Sequence, residues 1–143
     1  MNKDIARCII ALGVVVSLAA CTPKHDGDNK LVILHTNDTH SQIVPDRNDL
    51  GGVMRRKAVI DSIRKAEDNV LLVDAGDAVQ GTLYFYLYGG RVEQEVLNNL
   101  GVDVRILGNH EFDNGIDSLA SVLAISDATK LSTNYDLENT PLN

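Results

Sequence analysis

Three short apolar runs, each followed at once by side chains that bind metals in proteins, constrain the fold of this chain more than any other feature. The runs cover residues 31–36, 70–73 and 102–107. Continuous apolar runs of this length predict buried strands. Stretches with helical periodicity separate them, and residues 130–134 are predicted to begin a fourth strand. The resulting order, β-α-β-α-β-α-β, predicts an α/β fold with a parallel sheet and right-handed crossovers.

Residues that favour helix ends bound the predicted helices. The first helix begins after Gly52 and ends at Asp68, and the second begins at the N-cap Thr82, is interrupted at Gly89-Gly90 and ends at Gly101. A third helix follows the third strand. The apolar positions expected to face the core are Val53, Val59, Ile60, Ile63, Val92, Val96, Leu100, Ile116, Leu119 and Leu123.

Three expectations concern the surroundings of individual stretches. We expect the first strand to be buried on both faces, with His35 packed or hydrogen-bonded inside it rather than binding a metal. The aromatic run at residues 83–88 is better explained as a packed helix than as a platform for stacking bases. The basic group at residues 55–57 is better explained as a solvated helix face than as a phosphate grip.

The N-terminus has the composition of a secretion signal. An apolar run at residues 9–20 follows two basic residues and is shorter than the ~20 apolar residues that span a bilayer. Small residues stand directly before Cys21, which resembles a bacterial lipoprotein signal more than an ordinary secretory signal. We therefore predict a signal peptide at residues 1–20, a lipid on Cys21 and a flexible tether at residues 21–30. The lipid would hold the protein at the bacterial cell envelope, on a membrane, facing the periplasm or the exterior.

The charge of the chain argues against a polynucleotide partner. The full sequence has 20 acidic and 13 basic residues. Loss of Lys3, Asp4 and Arg7 with the signal would leave 19 acidic and 11 basic residues, a net charge of −8. Such a surface repels nucleic acid, and a protein of this charge must recruit cations before it can handle phosphate. With Cys8 removed and Cys21 lipidated, no disulfide is expected.

Ligand-type side chains follow each of the first three strands. They are Asp38 and His40, then Asp77, then Asn109 and His110. The carboxyl ends of parallel strands meet at one edge of a sheet, so we expect these side chains to converge there. Carboxylate, imidazole and amide groups together suit Mn, Fe, Zn or Co.

Glycines stand directly before two of these ligands. Gly76 precedes Asp77, and Gly108 precedes Asn109. A residue without a Cβ lets two backbones approach closely. We therefore expect both glycines to serve close contact between loops at a crowded site.

These polar stretches resemble, in order, the N-terminal signatures of the calcineurin-like metallophosphoesterases. More narrowly, they resemble the secreted 5′-nucleotidase and 2′,3′-cyclic-nucleotide phosphodiesterase branch. The likeness runs from Leu31 to Tyr135, and it implies that residues 31–143 are the N-terminal, incomplete part of an αββα sandwich. The matching motifs are Asn37-Asp38-Thr39-His40, Gly76-Asp77-Ala78-Val79-Gln80-Gly81 and Gly108-Asn109-His110-Glu111-Phe112-Asp113.

The resemblance implies a site for two divalent metal ions of the Mn, Zn, Co or Fe class. In the family pattern, Asp38 and His40 would bind the first ion, Asp77 would bridge both, and Asn109 would bind the second. Two such ions about 3.5–4 Å apart can hold a hydroxide in line with a phosphorus atom.

The same resemblance gives His110 the catalytic role of stabilising the transferring phosphoryl group or protonating the leaving oxygen. Asp113 would orient His110, since a residue three positions later can face it across a helical turn. We interpret Glu111 and Asp74 as structural groups behind the ligands.

The resemblance also implies parts that this chain does not supply. Family members carry later histidines that complete both metal sites and a C-terminal domain that grips the nucleoside. The four histidines here are His25, His35, His40 and His110, and the first two lie in the tether and in a strand. We therefore expect a truncated 5′-nucleotidase-like phosphoric ester hydrolase of nucleotide catabolism that is inactive or weakly active alone. The alternatives are a non-catalytic lipid-anchored module that binds a metal or a partner, and one piece of a two-chain enzyme completed by a C-terminal fragment.

Overall fold

A parallel sheet organises the part of the chain that the computed structural model describes, residues 30–143. Within this part the sheet has four strands in the order β1-β2-β3-β4. They are β1 (Val32–Thr36), β2 (Val70–Asp74), β3 (Val104–Arg105) and β4 (Thr129–Lys130), and every neighbouring pair is parallel. The predicted α/β fold with a parallel sheet is therefore confirmed.

Helices connect the strands where the sequence predicted them. They are α1 (Val53–Ala66), α2 (Leu83–Tyr88), α3 (Arg91–Leu100) and α4 (Ile116–Leu123), with a single 3₁₀ turn at His110–Phe112. Thr82 caps α2 as predicted, because its side-chain oxygen accepts a hydrogen bond from the Tyr84 N–H. Gly89 and Gly101 end α2 and α3 in the left-handed conformation, which favours glycine.

The core lies between the sheet and the helices that cover one of its faces. One buried cluster joins β2, α1 and α3, and a smaller cluster lies under α4. The buried apolar residues of these clusters are Ile60, Leu72, Ala78, Leu97, Leu100, Val102, Ala128, Leu107, Leu119 and Leu123. Val102 and Leu107 pack in different clusters, and the regular ladder of β3 covers only two of the six residues predicted for that strand. β4 is likewise shorter and begins one residue earlier than predicted.

Burial of β1 on both faces was wrong. Ile33 is 59% exposed, and its exposure alternates with the partial burial of its neighbours. His35 shares the exposed side of the strand, so the packed or hydrogen-bonded role predicted for it was also wrong. The reason is that the described helices cover only one face of the sheet, and a long apolar run does not show which face lacks a cover.

Two predicted apolar surfaces are also more exposed than expected. In α2, Phe85 is buried, but Leu83, Tyr86 and Leu87 are each about 70% exposed, so the aromatic run forms a helix without being packed on all sides. Val59 on α1 is 60% exposed. The basic stretch of α1 behaves only partly as predicted. Arg55 and Lys57 form ion pairs with Asp49 and Asp61 at the surface, whereas Arg56 is half-buried and donates to the Gln42 carbonyl at 2.9 Å.

The signal peptide at residues 1–20, the lipidation site Cys21 and the tether as far as residue 29 lie outside the described residues. Residues 31–143 form one compact unit. Among the described helices, none has the length and apolar character required to cross a bilayer.

Candidate metal centre

Three loops at the carboxyl ends of the strands form the candidate site. We call them the β1 loop (residues 37–41), the β2 loop (residues 75–82) and the β3 loop (residues 106–113). Backbone hydrogen bonds connect the β1 loop to the β2 loop. The Asp38 N–H donates to the Gly76 carbonyl at 3.0 Å, and the His40 N–H donates to the Asp77 carbonyl at 3.0 Å. These two loops therefore run side by side above the sheet.

The three loops bring together His40, Asp77 and His110. One ligand atom from each of these side chains lies within 4.8 Å of the other two. The two imidazole rings meet edge to face with centroids 5.2 Å apart. Two imidazoles and a carboxylate are a donor set that suits borderline divalent ions such as Zn or Mn, so the residues present fit a metal.

Of the other predicted ligands, Asp38 contacts His40 of this cluster, whereas no hydrogen bond joins the Asn109 side chain to it among the described residues. Asp38 Oδ1 is 3.8 Å from His40 Nε2, and Asp38 Oδ2 accepts a hydrogen bond from the Asn37 side chain at 2.8 Å. Asn109 immediately precedes His110, is exposed, and accepts the Phe112 N–H with its backbone carbonyl. The predicted convergence of the three loops is thus seen in the structure.

Backbone strain accompanies the ligands. Asp38, His40 and Asp77 all have positive φ angles, of 51°, 42° and 51°. The left-handed region costs a residue with a Cβ about 1–2 kcal/mol. Backbone strain clusters at functional sites, and two of these three residues, His40 and Asp77, supply side chains to the cluster described above.

Gly76 and Gly108 show the close approach that the sequence predicted. A Cβ on Gly76 would lie less than 3.0 Å from the Gly108 backbone, and a Cβ on Gly108 would lie less than 3.0 Å from the Asp77 carboxylate. Any side chain at either position would push the β2 and β3 loops apart. The two glycines therefore set the distance between the ligands that these loops carry.

His110 has the contacts of an oriented acid. Its Nδ1 lies 2.8 Å from Asp113 Oδ2, the residue predicted to orient it. The hydrogen bond to Asp113 raises the pKa of the His110 imidazole above its ordinary 6.5, and the negative charges of Asp77 and Glu111 add to the rise. The His110 N–H also donates to Asp77 Oδ1 at 2.8 Å, which fixes its backbone beside the Asp77 carboxylate.

Glu111 is the buried group that joins the β2 and β3 loops. Its carboxylate accepts the backbone N–H groups of Asp77 and Ala78 at 3.0 Å each and that of Gly108 at 2.7 Å. Arg105 donates to the same carboxylate at 3.2 Å. Glu111 therefore has the structural role that the sequence suggested, because it connects the β2 and β3 loops.

Asp74 supports the start of the β2 loop. It accepts the Thr36 hydroxyl at 2.6 Å and the Gly76 N–H at 3.2 Å. Burial raises the pKa of the Asp74 carboxyl, and the hydrogen bond from Thr36 opposes the rise. Asp74 thus ties β1 to β2 just before the loops begin.

A further buried carboxylate, Glu93, contacts the β1 loop, and sequence reasoning missed it. Ser41, next to His40, donates its hydroxyl to Glu93 of α3 and accepts a hydrogen bond from Thr82 at 2.9 Å. Arg105 was missed as well, and its guanidinium contacts both Gln94 and Glu111. A signal was present in each case, because Arg105 interrupts an apolar run and Glu93-Gln94 stand between the apolar positions of α3.

Comparisons with known proteins agree with this geometry. Residues 31–141 match the sequence profile described as Calcineurin-like phosphoesterase. Human 5′-nucleotidase is 42% identical over 128 residues, which is 82% of this chain and 21% of that protein. The structure of a 5′-nucleotidase precursor from Thermus thermophilus aligns with a TM-score of 0.70 and 37% identity, over 76% of this chain and 24% of that one.

A second solved structure, NAD nucleotidase from Haemophilus influenzae, aligns with a TM-score of 0.68 and 38% identity. It covers 73% of this chain and 20% of that one. The chain therefore spans about a fifth to a quarter of the length of these relatives. The match over residues 31–141, with its three ligand-bearing loops at one sheet edge, shows that this chain belongs to the calcineurin-like phosphoesterase family and has 5′-nucleotidases as homologues.

Proposed function

We propose that this chain supplies the N-terminal half of the active site of a metal-dependent phosphoric ester hydrolase that acts on nucleotides. One observation carries the proposal: His40, Asp77 and His110 converge from three loops at one sheet edge, within 4.8 Å of one another. The relatives described above as 5′-nucleotidases support the choice of a nucleotide as substrate.

Each ligand has a place in this proposal. Asp38 and His40 would hold one divalent ion, and Asp77 and Asn109 would help to hold a second. When bound, such ions would supply a water of lowered pKa and would neutralise phosphate charge. The net charge of −7 makes that neutralisation necessary, because an acidic protein repels a free phosphate ester.

In this proposal, His110 acts on the leaving-group side of the phosphate. The pKa of its imidazole lies above the ordinary 6.5, which favours the protonated ring. Asp113 holds Nδ1, which leaves Nε2 to donate a hydrogen bond to a phosphoryl oxygen or a proton to the leaving oxygen. The Asp77 carboxylate fixes the backbone of His110, so the ring has a defined position relative to the ions.

The number of ligands limits what this chain does alone. Two metal sites require more protein ligands than Asp38, His40, Asp77 and Asn109 provide. Of the other histidines, His35 lies on the exposed sheet face, and His25 is outside the described residues. We therefore expect one well-held metal ion per chain and slow hydrolysis or none.

Metal titration and phosphate release test the proposal together. Calorimetry with Mn²⁺ is expected to show binding to the full chain that Asp77→Asn weakens strongly. Asp127→Asn, an exposed carboxylate at the far end of α4, serves as the matched control and leaves binding unchanged. Absence of Mn²⁺ binding by the parent chain would contradict the proposed site.

Phosphate release from 5′-AMP then measures catalysis by the chain alone. Turnover at ordinary enzyme rates, roughly 1–10³ s⁻¹, that disappears in His110→Ala would show that this chain is a complete enzyme rather than half of one. One bound ion with no phosphate release from the chain alone fits either half of an active site or the non-catalytic metal-binding alternative. Recovery of phosphate release on addition of a chain encoded directly downstream would decide for the two-chain enzyme.

We also propose that the protein is held at the bacterial cell envelope by a lipid on Cys21. The support is the sequence alone, an apolar run of small and branched residues that ends directly before this cysteine. Labelled palmitate is expected to enter the parent protein and not Cys21→Ser, with Cys8→Ser as the control. Equal labelling of both variants would reject Cys21 as the acceptor.

A further inference from the structure

We propose that Arg105 is a positioning residue that sets the metal ligands through Glu111, an inference that rests on the proposed function. Arg105 lies on β3 beneath the site loops and is only 2% exposed. Its guanidinium donates to the Glu111 carboxylate at 3.2 Å and to the side-chain oxygen of Gln94 on α3. Among the described residues it forms no hydrogen bond or ion pair with a predicted metal ligand, so we infer that it acts on the metal ligands through Glu111.

Glu111 uses both of its oxygens to hold the site loops together. Oε2 accepts the N–H groups of Asp77 and Gly108, and Oε1 accepts the Ala78 N–H and the Arg105 guanidinium. Asp77 belongs to the β2 loop, and Gly108 directly precedes Asn109 in the β3 loop. One carboxylate therefore fixes the relative position of the ligands on two different loops.

Glu111 uses all of its acceptor capacity at this position. Its two oxygens accept four hydrogen bonds, three from loop N–H groups and one from the Arg105 guanidinium. Arg105 is the charged partner among these donors, and its ion pair with Glu111 is 2% exposed on both sides. Removing one partner of a buried ion pair is strongly destabilising, so Arg105 supports the hydrogen bonds that Glu111 makes to the loops.

Stability alone does not explain an arginine at this position. Its Nε is buried and has no hydrogen-bond partner among the described residues. Burying a guanidinium in this way is costly, and well-packed apolar side chains in place of a buried ion pair are often neutral or stabilising. The Arg105–Glu111 pair is best explained by the hydrogen bonds through which Glu111 fixes the positions of the β2 and β3 loops.

The test compares two variants of the full chain with a matched control. Arg105→Met leaves the Glu111 charge unpaired, and Arg105→Met with Glu111→Gln removes both charges together. The control is Arg64→Met, because Arg64 also bridges elements through backbone carbonyls, those of Leu100 and Gly101, but lies away from the site loops. Melting temperature, Mn²⁺ affinity by calorimetry and amide exchange by NMR are measured on each.

We expect affinity and stability to separate in the double variant. Arg105→Met should melt at a clearly lower temperature, and the double variant should recover most of that loss. Its Mn²⁺ affinity should nevertheless stay about 10–100-fold below the parent, as for other groups that orient metal ligands. A glutamine has one acceptor oxygen for three loop N–H groups, so the amides of Asp77, Ala78 and Gly108 should exchange faster than in the parent. Arg64→Met should lower the melting temperature without changing affinity.

Two outcomes would overturn the inference. The first is a double variant with parent affinity for Mn²⁺, and the second is unchanged protection of the three amides. If Arg105→Met does not fold, Mn²⁺ affinity and amide exchange are measured on the double variant alone. A parent chain that binds no Mn²⁺ would contradict the proposed function instead, and the amide exchange would still show whether Arg105 and Glu111 hold the loops.

Discussion

The front and the back of the candidate metal centre differ in burial, although both lie at the same edge of the sheet. At the front, the side chains of Asp38, His40 and His110 are 60%, 34% and 30% exposed. At the back, Glu111 and Arg105 are almost fully buried and are tied to backbone N–H groups or side-chain oxygens. The chain therefore separates the residues proposed to bind a metal from those proposed to set their positions.

This division has an energetic reason. Exposed ligands can exchange water for a metal ion at little cost to the fold, whereas buried charges must find partners in the folded protein. Changes at the back should therefore reduce the free energy of unfolding, and changes at the front should reduce metal affinity alone. The predictions below test that difference, from the largest expected loss of stability to none.

Glu111→Ala should have the largest effect on stability. It leaves the Arg105 charge unpaired and three backbone N–H groups without an acceptor. Loss of one partner of a buried pair costs about 3–5 kcal/mol, which urea unfolding would measure. Asp117→Ala, an exposed carboxylate on α4, should change the free energy of unfolding by less than about 0.5 kcal/mol. Similar values for both variants would remove the distinction between back and front.

Gly108→Ala should have the next largest effect, because its Cβ would collide with the Asp77 carboxylate. Overpacking of this kind costs about 1–3 kcal/mol, and displacement of Asp77 should weaken Mn²⁺ binding as well. Gly115→Ala is the matched control, since nothing lies within 4 Å of its added Cβ. It should lose only the strain of its backbone conformation, φ 81° and ψ 164°, which glycine alone adopts readily. That strain costs about 1–3 kcal/mol, and Mn²⁺ affinity should be kept. Weakened Mn²⁺ binding in both variants would contradict the contact with Asp77.

His40→Ala should leave the free energy of unfolding within about 0.5 kcal/mol of the parent value, because the ring is partly exposed and accepts no backbone N–H. Its Mn²⁺ affinity should fall strongly, since one of three clustered ligands is lost. Thermal unfolding and calorimetry on the same samples would show both results. A large loss of stability would mean that the front of the site also supports the fold.

The smallest expected effect is a change in the pKa of His110, measured on metal-free protein. Asp113 holds this pKa above the ordinary 6.5, so an NMR titration should place it higher in the parent than in Asp113→Asn. A raised pKa means that folding favours the protonated ring. The stabilisation is therefore fully present below pH 6.5 and is lost as pH rises through the higher folded value. Equal pKa values in both proteins would contradict the Asp113 contact.

Periodicity and turn residues predicted the fold well, because helix ends and buried strands leave local signals. Thr82, Gly89 and Gly101 end or begin helices where expected. Exposure was predicted less well. Ile33 lies in an apolar run yet is exposed, since the cover over a sheet face comes from distant parts of a chain that a local pattern does not report.

The candidate site was predictable at its front and only partly at its back, where Glu111 was predicted and Arg105 and Glu93 were not. Asp38, Asp77 and His110 follow strands directly, so strand order alone brings them to one edge. Arg105 and Glu93 are brought behind that edge by packing of α3 against the loops. Their partners are 6 and 52 residues away in sequence, and no local rule connects them.

The order of the strands in the sheet is also their order along the chain. During synthesis, each of the described strands after β1 pairs with a strand that has already been translated. None of these four strands must insert between two earlier ones. The third ligand-bearing loop is complete at residue 113, so every side chain proposed here to bind metal is translated before α4 begins. Assembly of this sheet edge can therefore proceed in step with translation, from the amino end onward.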